Sequence, residues 1–469
     1  MLFNTAAYAC FFVVFFVLYR MLPLSRTQKL WLILLGSLFF YAGWDYRFIP
    51  LLLGTGYLDF TIARFIAREG ASDARRRALV TLSVTMNLFV LGLFKYTSFF
   101  VANLNHGLRL LHIGARIPAV SLVLPVGISF YTFQSISYVV DVYRRKLEAR
   151  ERVLEFMSSL TFFPHLVAGP IIRSSHLLPQ FESLAPIPWT SIRRGFFLIG
   201  SGLMKKTVAD LLSPVADHAF SASGALSGIE AWTGALAFTG QIYGDFSGYT
   251  DIAIGSAALL GFHIPDNFDL PYLATSPVDF WRRWHISLSS WLRDYLYISL
   301  GGNRNHRYRN LMLTMLLGGL WHGAGWTFVA WGFYHGALLI LTHLAIARFP
   351  RWDALLDASL LARAGKVLFT FYLTVLGWVL FRAEGIGSAA KVVRAMHLPR
   401  VPSEISRATL TTLGLTLVAV VFCHLVDYLG HKRGEANLSP RVLWPATCLA
   451  FAFAIALGEA GHAFIYFQF

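Results

Sequence analysis

Gly318-Gly319-Leu320-Trp321-His322-Gly323-Ala324-Gly325-Trp326 lies inside an apolar run spanning residues 311–346. A spanning helix needs about 20 apolar residues, and this run exceeds that length. A histidine at membrane depth is costly and marks a candidate functional site. Glycines around it allow backbones to approach closely. The stretch therefore poses two questions: what fold surrounds it, and what chemistry needs an imidazole there.

Runs of the same kind recur along the chain, at 2–22, 30–41, 48–67, 78–101, 123–142, 153–172 and 195–212. They continue at 231–262, 311–326, 328–347, 367–381, 408–428 and 442–458. The 469 residues are 56% hydrophobic and 14% charged, against roughly 25% charged in soluble domains. A soluble protein would expose or aggregate so many apolar stretches. The expectation is an all-α polytopic membrane protein of roughly 11 transmembrane helices. The shorter runs are read as re-entrant or interfacial helices. No polar stretch is long enough to bury a core of its own, so residues 1–469 read as one polytopic domain.

The net charge is +15, from 40 basic and 25 acidic residues. In a soluble chain that excess suggests nucleic acid. Here it follows the positive-inside rule, so no nucleic-acid partner is expected and the surrounding partner is membrane lipid. Basic residues gather in alternate early loops: Arg20, Arg26 and Lys29; then Arg64, Arg68, Arg75, Arg76 and Arg77; then Arg144, Arg145, Lys146, Arg150 and Arg152. The loop at 44–50 holds only Arg47, and that at 103–118 only Arg109 and Arg116. The alternation places the N-terminus outside the cytosol. Run 2–22 lacks a basic n-region and a small-residue cleavage site, so it is read as a retained span. Cys10, Cys423 and Cys448 sit in apolar runs at no metal-binding or disulfide spacing and read as small hydrophobes.

The most polar internal stretch is 266–310, opening Asp266-Asn267-Phe268-Asp269-Leu270-Pro271-Tyr272. Trp281, Trp284, Leu288 and Trp291 recur every three to four residues, predicting an amphipathic helix with Trp281, His285 and Leu288 on one face. Ser276 and Pro277 make an N-cap and N1 pair, with Asp279 at N3. Two readings apply: an interfacial anchor with Trp and Arg at headgroup level, or an anchor that also walls an active site through His285.

Histidine takes and returns a proton near neutral pH. His322 can be a core histidine satisfied by a carbonyl, a metal ligand or a general base. His335 and His343, 13 and 21 residues on, lie beyond ligand-motif spacing, and no cysteine joins them. No metal is expected. His285 strengthens the catalytic reading, while the absence of a Gly-x-Ser-x-Gly elbow weakens a serine-hydrolase one. Asn87, Lys95, Gln134, Asp141, Gln241, Asp245 and Asp251 are candidates to line a wet cavity, with Lys95 and Asp141 equally placed to snorkel. The segment from Tyr243 to Asp251 is rich in glycine and acid. It reads either as packing or as a helix break lining a tunnel. His165, between Pro164 and Pro170, reads as structural in a kinked or re-entrant segment, and His462 as interfacial.

The chain resembles the membrane-bound O-acyltransferases. The resemblance is carried by residues 279–296, by Gly301-Gly302-Asn303-Arg304 and by 310–325. Tyr131-Thr132-Phe133-Gln134, 162–170 and 464–469 add to it. These ordered blocks look like the bacterial branch that includes the alginate O-acetyltransferase membrane subunit. The 302–310 segment is short for that branch, Ser299 stands where proline is common, and His165 where glutamine is expected. The resemblance implies a funnel on each membrane face joined by a central tunnel, in a bacterial inner membrane with a periplasmic N-terminus. The family's active-site histidine falls on His322 and its second histidine on His285. The implied donor is a cytosolic thioester, acetyl-CoA for this branch, with no bound cofactor. The implied acceptor is a periplasmic exopolysaccharide or its SGNH-type acetyltransferase partner.

On this reading His322 is the general base, and His285 orients or polarises from the opposite wall. Trp284, Trp321, Asp279, Tyr243 and Asp245 line the substrate path, and Arg282, Arg283, Arg304 and Arg307 hold the donor phosphates. D-alanyl transfer from a carrier protein is the sister-branch alternative, since a basic surface suits CoA phosphates and an acidic carrier alike. A non-catalytic acyl-translocating scaffold is another. A small-molecule transporter predicts inverted repeats, and none is visible.

Overall fold

The structure is a computed structural model describing residues 1–120, 122–167, 169–221, 226–350, 359–398, 407–429 and 440–458. His462 and the block 464–469 lie outside the described residues. The described chain is helical, with no strand among those residues. Five helical stretches are long and apolar enough to cross a membrane: Arg26–Ala67, Asp73–Leu110, Trp326–Arg348, Leu360–Arg382 and Arg407–Asp427. The first has 42 residues. It would run ~63 Å if straight, about twice the hydrocarbon thickness of a bilayer. A 3₁₀ turn at Tyr46–Phe48 interrupts it, between the two apolar runs seen in the sequence. The chain is a multi-pass membrane protein.

Contacts divide it into two compact units, Met1–Gly195 with Ala253–Pro265, and Phe196–Ile252 with Asp266–Phe469. The first unit holds α1 (Ala6–Met21), α2 (Arg26–Asp45), α3 (Ile49–Ala67), α4 (Asp73–Leu110) and α5 (Ile128–Tyr143). It also holds α6 (Val153–Leu160), α7 (Phe163–Leu166) and α8 (Ser174–Ser183). Short polar caps start several of them. Thr5 accepts from the Tyr8 amide, and Ser25 and Gln28 form a capping box.

The expected kink in run 153–172 is present: the run breaks between α6 and α7, with Pro164 in the first turn of α7. His165 is buried and its Nε2 meets the Ser159 carbonyl at 3.0 Å, a structural role. The Phe163 ring fills the interior, 5.2 Å from Phe11 and Phe15 and 5.6 Å from Phe40. Asn87 serves the protein interior: its Nδ2 donates to the buried Asp59 carboxylate at 2.9 Å, and the Ser83 hydroxyl donates to the same group at 2.6 Å. A buried carboxylate needs such donors.

Of two long helices, α9 (Trp189–Ser221) leads the chain into the second unit and α10 (Gly228–Leu259) begins in it and ends in the first. There follow α11 (Pro277–Arg283), α12 (Ile286–Trp291), α13 (Arg307–His322), α14 (Trp326–Arg348), α15 (Leu360–Arg382), α16 (Ile386–His397), α17 (Arg407–Asp427) and α18 (Pro440–Leu457). The segment 243–251 does not break its helix, since α10 runs through it. Its glycines act in packing instead. A Cβ on Gly248 would lie 2.6 Å from the Gly202 carbonyl oxygen, and one on Gly202 2.5 Å from that of Gly248, so α9 and α10 touch backbone to backbone.

The glycines flanking His322 act in the same way. A Cβ on Gly319 would come within 2.2 Å of the Phe328 carbonyl oxygen, and one on Gly332 within 2.4 Å of that of Met315. Contact this close sets α13 and α14 as a tight antiparallel hairpin with His322 at its turn.

Candidate active site

The predicted amphipathic helix around His285 is two helices. Ser276 caps α11 by accepting from the Asp279 amide at 3.1 Å, as the sequence predicts. The helix then ends at Arg283, and His285 takes the left-handed conformation (φ 44°, ψ 54°) before α12 begins. The i, i+4 relation of Trp281 to His285 is therefore lost. The physical reason is a remote cap: Asn267 accepts from the Ile286 amide through its carbonyl (2.9 Å) and from the Ser287 amide through Oδ1 (3.1 Å). These bonds start a new helix and turn the His285 ring inward, fully buried. Beyond α12 a π-helical turn, Leu292–Tyr297, redirects the chain.

His322 is the last residue of α13 and is buried in an aromatic shell. Its ring centroid lies 5.1 Å from Trp321 and from Trp331 and 5.3 Å from Phe381. The His285 ring is 6.4 Å away, so the fold brings together two histidines 37 positions apart in sequence. His285 also meets Phe246 edge to face at 4.7 Å and Trp321 at 6.0 Å. Burial pushes its imidazole down to about 3, so it is neutral at physiological pH.

His322 lines a cavity of about 580 Å³, within the range of small-molecule sites. The wall changes character along its residues. Trp331, Met315, Gly318 and Leu288 are buried, whereas Arg282, Arg293 and Asn303 are exposed and Arg307 half-buried. A cationic, wet rim thus leads to an apolar interior that holds an imidazole. His343 also lines the cavity, its Nδ1 donating to the Leu339 carbonyl at 2.7 Å.

The other sequence candidates fall in several places. Arg282 and Arg307 line the cavity, while Arg283 and Arg304 are not among its lining residues. Arg283 instead pairs with Asp279 at 2.9 Å, and Asp279 accepts from the Thr275 amide at 3.1 Å. Trp284 is fully buried, packed on Trp378 at 4.7 Å and Phe268 at 5.0 Å. Trp321 bridges the two histidine rings.

Tyr243 and Asp245 belong to a separate constellation, a buried ion-pair network. Lys205 pairs with Asp251 (2.8 Å) and Asp427 (2.5 Å), and Lys206 with Asp245 (2.8 Å) and Asp210. The Tyr243 hydroxyl donates to Asp427. Sequence reading assigned no role to Lys205, Lys206, Asp427, Arg293 or Asn267. Two adjacent lysines in run 195–212 were the visible signal for the network. Asn267 gave none, because its role depends on contacts 18 and 20 residues ahead.

Among the described residues, no group of three or more His, Cys, Asp or Glu is placed to hold a metal ion. What the site offers is an imidazole beside a second imidazole, at the end of a cavity with a cationic rim, in a helical membrane protein. An imidazole in such a setting can act as a general base. Comparison with known proteins agrees: residues 152–383 match the membrane-bound O-acyltransferase family. The chain is 41% identical over 435 residues to the probable alginate O-acetylase AlgI of Azotobacter vinelandii, covering 91% of this chain and 85% of that protein. It is 35% identical over 510 residues to the peptidoglycan O-acetyltransferase of Helicobacter pylori, covering 98% and 94%. A teichoic acid D-alanyltransferase of Streptococcus thermophilus is 28% identical over 240 residues, covering 47% and 57%. The chain belongs to the membrane-bound O-acyltransferase family and is an acyltransferase.

Proposed function

We propose that this protein moves an acetyl group from cytosolic acetyl-CoA toward a periplasmic exopolysaccharide, directly or through an SGNH-type partner, in a bacterial inner membrane. On this reading the chain crosses the membrane roughly 11 times, with a periplasmic N-terminus and a central tunnel. The observation that carries the proposal is the cavity itself: a buried His322 reached past Arg282, Arg293 and Arg307. Arginine is suited to phosphate, and CoA is a phosphate-bearing thioester. The names of the A. vinelandii and H. pylori relatives support O-acetylation as the reaction.

In the proposed step His322 takes the proton of the acceptor hydroxyl as its oxygen attacks the thioester carbonyl. The carbon–sulfur bond breaks and the thiolate recovers the proton from the imidazolium, leaving an ester and free CoA thiol. General-base assistance contributes roughly 10²–10⁴-fold.

D-alanyl transfer from a carrier protein is the second reading, supported by the likeness to the S. thermophilus protein. Purified protein incubated with radiolabelled acetyl-CoA, with and without candidate partners, separates the two. Acetyl transfer or CoA release that disappears in His322→Ala supports the proposal. Acetylation at wild-type level in that variant, at normal abundance, overturns it.

A further inference from the structure

The buried His285 ring pairs with Asn267. Asn267 is buried, and its Oδ1 is the focus of three donors: the Ser287 amide (3.1 Å), the Ser287 hydroxyl (2.8 Å) and His285 Nδ1 (3.2 Å). A backbone N–H can only donate, so the Asn267 atom facing it is the oxygen, and this fixes the amide orientation. That oxygen has no proton to give. The Ser287 hydroxyl also lies 3.4 Å from Nδ1, but its proton goes to the nearer Asn267 Oδ1 at 2.8 Å, so Nδ1 carries the hydrogen of the Asn267 contact and in a neutral imidazole Nε2 is then bare. His285 Nε2 is buried, with no hydrogen-bond partner among the described residues.

The same contacts hold His285 in a left-handed backbone conformation (φ 44°). For a residue other than glycine this conformation is strained and persists only when neighbours over-determine it. The ring faces Phe246, Trp321 and His322, and His322 is the titratable group among them. A strained backbone, a fixed tautomer and an unpartnered lone pair thus converge on one imidazole beside the cavity histidine.

We infer that Asn267 is a positioning residue that locks His285 as a hydrogen-bond acceptor, so that Nε2 receives an O–H donor of the acceptor substrate and does not polarise the thioester carbonyl. Polarising a carbonyl needs an N–H, and the only N–H of this ring is spent on Asn267. The inference rests on the acyl-transfer reading and narrows it: of the two tasks open to His285, orientation of a hydroxyl remains.

The test uses the purified full-length chain with candidate partners and an alginate oligosaccharide as acceptor hydroxyl, with release of CoA thiol from acetyl-CoA as the readout, and the variants N267L and N267D. Leucine keeps the volume and removes the oxygen. N267L is expected to lower kcat about 10- to 100-fold, the loss seen when the group orienting a metal-bound histidine is removed, with KM for acetyl-CoA unchanged. Aspartate keeps the acceptor and the cap but adds charge beside Nδ1–H. N267D is expected to retain kcat within a few-fold at high pH, while its acid limb moves to higher pH because the carboxylate favours the imidazolium. A purely structural cap predicts rescue by N267D with no movement of the pH profile, and that outcome overturns the inference. So does an N267L variant with wild-type kcat.

Nitrogen-15 spectra of histidine-labelled wild-type protein decide the tautomer even where a variant fails to fold. A His285 ring protonated at Nδ1 supports the inference, and one protonated at Nε2 overturns it. If wild-type protein releases no thiol, or His322→Ala releases as much as wild type, the acyl-transfer reading fails instead, and the spectrum still reports on Asn267.

Discussion

The cavity at His322 and the network at Lys205 are both built from charged and titratable groups in an apolar protein, and they treat those groups in opposite ways. In the network every cation meets carboxylates within hydrogen-bond distance, and Lys205 is fully buried. Around the cavity Arg282 is exposed and Arg293 meets Asp294 at 2.7 Å on the exposed side, while His285, beside His322 though not among the lining residues, keeps a bare nitrogen. Satisfied burial marks groups that hold helices together, whereas an open cationic rim with an unsatisfied interior marks groups that wait for a ligand. The sequence offered Tyr243, Asp245 and His322 as members of one substrate path. Their surroundings separate them.

The largest effect that sharpens the contrast is at His322. His322→Ala should lower acetyl transfer by about 10²–10⁴-fold while detergent-extracted protein keeps its abundance and melting temperature. A parallel loss of abundance would place His322 with the structural groups and break the comparison. Next comes Lys205→Met, which strands Asp251 and Asp427. Removing one partner of a buried pair costs about 3–5 kcal/mol, so folded protein should fall sharply. Adding Asp251→Asn and Asp427→Asn should recover part of it, read by fluorescence size exclusion.

A smaller effect is expected from Arg282→Ala with Arg307→Ala. KM for acetyl-CoA should rise about tenfold for each arginine removed, consistent with the ~1.5 kcal/mol of one charge-assisted hydrogen bond, with kcat and stability retained. The smallest is Ser276→Ala, which removes the α11 cap at a cost of about 1 kcal/mol. A modest drop in melting temperature without change in KM would confirm a purely local role.

Much of the fold was legible because its determinants are local. Apolar runs long enough to span, glycines around His322 and the Ser276–Pro277 start of α11 each act within one turn or one helix. The helix break at His285 was not legible. Trp281, Trp284, Leu288 and Trp291 carry a continuous helical period, and only Asn267, far upstream, ends it. The unbroken course of α10 was hidden for the converse reason: local glycine and acid content argued for a break, and contact with α9 overrode it.

By itself the sequence determined that this chain is a helical membrane protein and that a histidine costly to bury sits among glycines and tryptophans. Those conclusions follow from transfer free energy, which depends on composition and run length alone. Which charges are paired, which arginines reach the cavity and which nitrogen of His285 is bare were decided only by the tertiary structure. Hydrogen bonds and ion pairs act over about 3 Å, and only the folded chain brings residues 267 and 285, 285 and 322, or 205 and 427 close enough to decide them.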